Sequence, residues 1–221
     1  MVEIQLEEKV PKENSISSDL ALAKQICIWI TDKEERKRVT SFIDDVEKKK
    51  EGHLPIQPSD LSESEMNKGL VTDKQKEEYK MVESALEVAE KGGYLRAIEI
   101  VAGIEDRQGT KLLKAHAFGL LAEILDKGGI DVTPVFIFAM DHIRDFMNNT
   151  DSLGAVEGVE ITEAVLKKAL DLGYFNIISF SAQRTMDQVV KLKDEGKEVD
   201  MYLLMSVASF LGLSVRAQGR R

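Results

Sequence analysis

Apolar residues recur along this chain at the spacing of one face of an α-helix. Leu20, Ala23, Ile26, Cys27 and Ile30 form a first stripe. Thr31 with Glu34 has the form of a capping box, in which the Thr oxygen accepts a backbone N–H and the Glu reaches back. A second helix is expected from there, with Val39, Phe42, Ile43 and Val46 on one face. It runs out at Lys48-Lys49-Lys50, cations that suit the negative end of a helix dipole. From Gly52 to Val71 the periodicity stops, and Pro55, Pro58 and the polar run Ser59 to Glu65 read as a linker. Thr72 with Gln75 then opens a helix carrying Tyr79, Val82, Leu86 and Ala89, stopped by Gly92-Gly93.

Tyr94 to Ile104 follows as a short helix, and Glu105-Asp106-Arg107 as a turn. Lys111 to Asp126 turns Leu113, Ala117, Leu120, Leu121 and Ile124 inward and ends at Gly128-Gly129. Thr133-Pro134 reads as an N-cap followed by a proline at the first helical position, where the missing N–H costs nothing. The helix it opens is apolar all round from Val135 to Met140 and is expected to be the most buried element. Asn148 to Gly158 reads as a loop, with Gly154 and Gly158 as breakers. Helical spacing returns at Ile161, Val165, Ala169 and Leu172, and Tyr174 to Phe180 continues as helix, since no strand is evident to pair with it. A kink is expected near Thr185, a break at Gly196 and a last, strongly apolar helix over Met201 to Leu213.

The chain is therefore expected to be all-α. Residues 1–18 read as a flexible N-terminus, 19–51 as a helical hairpin, 52–71 as a linker, 72–214 as a larger helical domain and 215–221 as a basic tail. Among 221 residues, 15 Gly and 4 Pro are few and 31% charge is high, which favours helices with solvated faces. The net charge of −9 argues against broad, non-specific nucleic-acid binding. One cysteine excludes an internal disulfide and a four-cysteine zinc site. The longest clean apolar run, Val135 to Met140, is too short to span a bilayer, and no basic-then-apolar leader opens the chain. A cytoplasmic location, no cofactor and no membrane contact are the matching expectations.

The pattern repeats. At an offset of 80 residues, Glu83, Leu86, Ala89, Gly93, Tyr94, Ile98 and Ala102 meet Glu163, Leu166, Ala169, Gly173, Tyr174, Ile178 and Ala182. Leu121 to Ile130 repeats the ending of helix, Gly-Gly and apolar residue. Gly93 and Gly173 are expected in left-handed C-caps. Ala97 to Asp106 followed by Ala115 to Gly128 resembles tetratricopeptide-like helical repeats, and Ala23 to Val46 looks like a degenerate copy. The resemblance implies antiparallel helix pairs, in a repeat-like bundle or a short α-solenoid, with a surface for another protein.

No chemistry-bearing motif stands out. His116 lies at the edge of an apolar stripe without sequence neighbours of matching chemistry, and Cys27 sits between Ile26 and Ile28 as a structural thiol. Asp141, His142 and Asp145 share a helix face with Arg144 and read as a solvated polar face, with Arg144 and Asp141 able to pair. The mixed run Lys33 to Arg38 reads the same way, and neither a P-loop nor a dinucleotide fingerprint is present. The expected function is a non-catalytic interaction module, an adaptor or assembly subunit whose partner is another protein or a second copy of itself. The expected contact is the last helix, through Leu203, Leu204, Val207, Phe210 and Leu211. The alternative is a nucleic-acid-associated factor that contacts anions through Arg216, Arg220 and Arg221.

Overall fold

The computed structural model describes residues 16–49, 73–149, 152–196 and 199–219, the side chains of 73 and 152–156 excepted. Every regular element among them is an α-helix, so the protein is all-α. In chain order these are α1 (Ile16–Ile28), α2 (Lys33–Glu47), α3 (Asp73–Glu90), α4 (Tyr94–Ala102) and α5 (Gln108–Lys127). There follow α6 (Thr133–Met147), α7 (Ser152–Leu172), α8 (Phe175–Asp194) and α9 (Met201–Gln218). They group into two compact units: Met1–Gln57 with Ala169–Arg221, and Pro58–Lys168. The hairpin expected to stand apart is thus part of a discontinuous unit with the C-terminal helices. Periodicity along a strip of chain cannot report a partner so far away. The expected linker at 52–71 lies outside the described residues.

In unit 1, α9 packs against α1, α2 and α8. The predicted α1 stripe holds, with Leu20, Ala23, Ile26, Cys27 and Ile30 all buried. The helix starts at Ile16, inside the stretch expected to be flexible. In α2, Val39, Phe42, Ile43 and Val46 are buried as read, but the N-cap is Asp32 rather than Thr31. Its Oδ1 accepts from the N–H groups of Glu34 and Glu35, each at 2.9 Å. Gly212 lets α9 approach α2 closely: a Cβ there would lie 2.7 Å from Cδ1 of Ile43 and 2.8 Å from Cε1 of Phe42. The Tyr174–Phe180 stretch is helical as expected, and α8 runs through Thr185 without a break. The Thr185 hydroxyl donates back to the Ser181 carbonyl at 2.9 Å, which satisfies it inside the helix.

In unit 2, α5 packs against α3, α4 and α6. Phe118, Leu121 and Leu125 of α5 and Val135, Phe136 and Ala139 of α6 are buried among the core residues. Thr133 is the first residue of α6 instead of its cap, and its N–H donates to Asp131 Oδ1 at 3.0 Å. The expected loop through Gly154 and Gly158 is wrong, because α7 is already helical from Ser152. Gly158 is buried against Met147, whose Cγ would lie 2.8 Å from a Cβ at that position. Its lack of a side chain permits packing and does not break the helix.

Three helix ends are alike. At the end of α3, the Gly93 N–H donates to Val88 O and the Gly92 N–H to Ala89 O. The end of α5 repeats this with Ile130 to Leu125 and Gly129 to Asp126, and the end of α7 with Tyr174 to Ala169 and Gly173 to Leu170. This is the Schellman motif, and its left-handed residues are Gly92 (φ 83°), Gly129 (φ 76°) and Gly173 (φ 82°). Gly173 meets the expectation and Gly93 does not, since its φ is −82°. The left-handed role falls one residue earlier in the first copy.

Candidate functional site

The helix expected to offer a contact surface is the core of unit 1. Leu203 and Phe210 are nearly, and Leu204, Val207 and Leu211 wholly, withdrawn from solvent. The expectation of an outward apolar face is corrected for a simple reason: α1, α2 and α8 already cover it. By length and composition alone α9 is also apolar enough to cross a bilayer. Here it is wrapped by other helices of its unit. The basic tail is corrected as well. α9 continues to Gln218, and the Arg216 guanidinium lies 5.0 Å from the centre of the Phe42 ring. Arg220 and Arg221 lie outside the described residues.

The exposed apolar side chains of unit 1 lie elsewhere. Ile28 is 68% exposed and Tyr202 61%. They stand at the end of α1 and in the first turn of α9, near where three helix ends meet. The Thr31 hydroxyl is 3.9 Å from the Met201 sulfur, and Lys193 Nζ lies 4.3 Å from the centre of the Trp29 ring. The end of α1, the end of α8 and the start of α9 thus form one surface. Arg36 ties α2 to the end of α1 by donating through Nε to the Ile30 carbonyl at 2.7 Å. The rest of the charged run beside it faces water, with Arg38 paired to Glu35 at 2.7 Å.

Unit 2 gathers its charge around the turn after α4. Both Nη2 contacts of Arg107 to the Glu78 carboxylate are 2.6 Å, and Glu78 is buried. Glu105 pairs with Lys74, which holds its carboxyl below the usual range. Lys114 is buried and donates to the carbonyls of Ile104 at 3.2 Å and Ala102 at 3.4 Å, covering the open end of α4. Asp106 stands 3.9 Å from Lys114 Nζ and 3.8 Å from His142 Nδ1. Thr110 closes the turn by accepting from the Arg107 N–H and donating to the Glu105 carbonyl. The His142 ring stacks on Phe118, 6.0 Å between centres. Burial, then the charge of Lys114, lowers the pKa of His142, and burial lowers that of Lys114.

The sequence candidates fall into place around this. Arg144 pairs with Asp141 at 3.3 Å, as the spacing implied. Burial lowers the pKa of His116 and raises that of the Cys27 thiol. Among the described residues, no three of His, Cys, Asp and Glu gather as metal ligands would.

Sequence reasoning passed over three buried charges that share one signal. Asp19 precedes Ala23, Ile26 and Ile30; Glu78 precedes Val82, Ala85 and Ala89; Lys114 precedes Phe118, Leu121 and Leu125. Each occupies the leading position of an apolar helical stripe, where a side chain has no route to water.

No family model, curated protein or solved structure matches this chain.

Proposed function

We propose that this protein is a non-catalytic helical interaction module, repeat-like in build, that presents a surface to another protein. The observation that carries the reading is the pair Ile28 and Tyr202, the two most exposed large apolar residues of unit 1 among the described residues, at the end of α1 and the start of α9. Trp29, capped by Lys193, adds an aromatic ring with a cation at the rim. Aromatic and aliphatic anchors with a charged border are the composition of binding hot spots. The repeat-like part of the reading is supported by the three Schellman ends and by Tyr94. A Cβ on Gly128 would run into the Tyr94 ring, so the first residue of α4 packs on the end of α5.

The test is a comparison of wild type with Ile28→Asp and Tyr202→Asp. Cross-linked partners from native cells, and light scattering for self-association, give the readout. Both side chains face water, so both variants should melt as the wild type does, within about 0.5 kcal/mol. The expected result is loss of the same partner in both. Retention of every partner by the double variant would overturn the proposal.

A further inference from the structure

Asp19 is the one buried acid in unit 1 that no cation holds among the contacts described. Its side chain is 1% exposed, in the first turn of α1. It is met by two neutral groups, Ser179 of α8 and Gln218 of α9, and its Oδ2 has no hydrogen-bond partner. Gln218 is tied in turn to the Ser214 hydroxyl at 3.2 Å. Three charged groups of this and the neighbouring helices have described contacts of their own. Arg216 of α9 lies over Phe42, Arg184 of α8 over Phe180, and Lys24 of α1 pairs with Glu47 and Asp44 of α2. An ionised carboxylate with an unpartnered oxygen is costly in such a place, whereas a neutral acid needs fewer partners.

We propose that Asp19 is a proton-operated latch: its neutral carboxyl closes the start of α1 onto α8 and the end of α9, and its ionisation loosens that closure. Two forces oppose this. The N-terminal end of a helix favours an anion, and Ser179 and Gln218 also favour the charged form. Burial is the largest influence and pushes the carboxyl above its ordinary value. The folded state therefore holds the proton more tightly than the unfolded chain. The latch is closed below the ordinary carboxylate range and opens as pH rises through the raised value.

Hydrogen exchange on the full chain across a pH series tests this, with protection corrected for the intrinsic rate at each pH. In wild type, protection of the α1 amides should fall several-fold as pH rises, while that of α5 in unit 2 does not follow the same step. Asp19→Asn keeps the shape and cannot ionise, so its α1 protection should stay high and flat. Ser179→Ala removes a side-chain partner that favours the charged form, so the step should move to higher pH. A flat wild-type profile overturns the latch, as does a step that persists in Asp19→Asn. Where Asp19→Asn does not fold, a step unmoved by Ser179→Ala overturns it equally.

Discussion

Unit 1 and unit 2 both withdraw charged side chains from water, at the same place in their helical stripes, and provide for them differently. In unit 2, both oxygens of Glu78 are met by Nη2 of Arg107, and Lys114 receives two carbonyls and a nearby Asp106. In unit 1, Asp19 receives a hydroxyl and an amide. The hydrogen bonds of the first arrangement tie down the turn after α4. The second favours the uncharged form. On the proposal made above, a buried acid is a fixed strut where a cation meets it and a titrating latch where only neutral groups do.

The contrast breaks most sharply at Arg107. Arg107→Ala would leave Glu78 buried and unpaired, and turn the strut of unit 2 into the situation of unit 1. The expected loss is about 3–5 kcal/mol by denaturant titration. Glu78→Gln should cost less, because the Arg107 side chain is 33% exposed and water can take over part of its solvation. Equal losses in the two variants would mean that packing, and not the orphaned charge, sets the cost.

Lys114→Met comes next in size. It preserves the length of the side chain and removes the donor to Ala102 and Ile104, so about 1–3 kcal/mol should be lost through unmet carbonyls. No loss would show that water reaches the end of α4. The smallest effect is in the acid limb. His142 titrates below the ordinary value of about 6.5 when folded, so its contribution is intact above that pH and is lost as pH falls through the depressed value. Unit 2 should therefore weaken on acidification, where protonation of Asp19 tightens unit 1. His142→Gln should reduce that slope without abolishing it, because the pKa of His116 is lowered too. An unchanged slope would place the proton uptake elsewhere.

The helices themselves were legible because each is a local pattern. The α1 and α2 stripes are buried as read. Their ends were read one residue off where two suitable residues stand together: Thr31 beside Asp32, and Gly93 beside Gly92. Composition does not tell which of two neighbours takes the cap. The start of α7 was lost because Gly154 and Gly158 have the look of breakers, and only the packing of Met147 explains Gly158. The role of α9 was inverted because its cover comes from α1 and α2, more than 150 positions away in the sequence. The Glu78–Arg107 pair, 29 positions apart, was hidden for the same reason, although the acid at the head of an apolar stripe was visible.

The discontinuity of unit 1 also bears on how the protein is made. During synthesis α1 and α2 leave the ribosome well before α9, the helix that packs on α2 and covers its Phe42 and Ile43. Unit 2 is drawn from one continuous stretch and can fold in the interval. For as long as translation of some 150 intervening residues takes, the apolar side of the first hairpin waits without α9. That interval, on the order of 8–30 s at about 5–20 residues per second, is when a chaperone would be needed and when neighbouring nascent chains can misassemble.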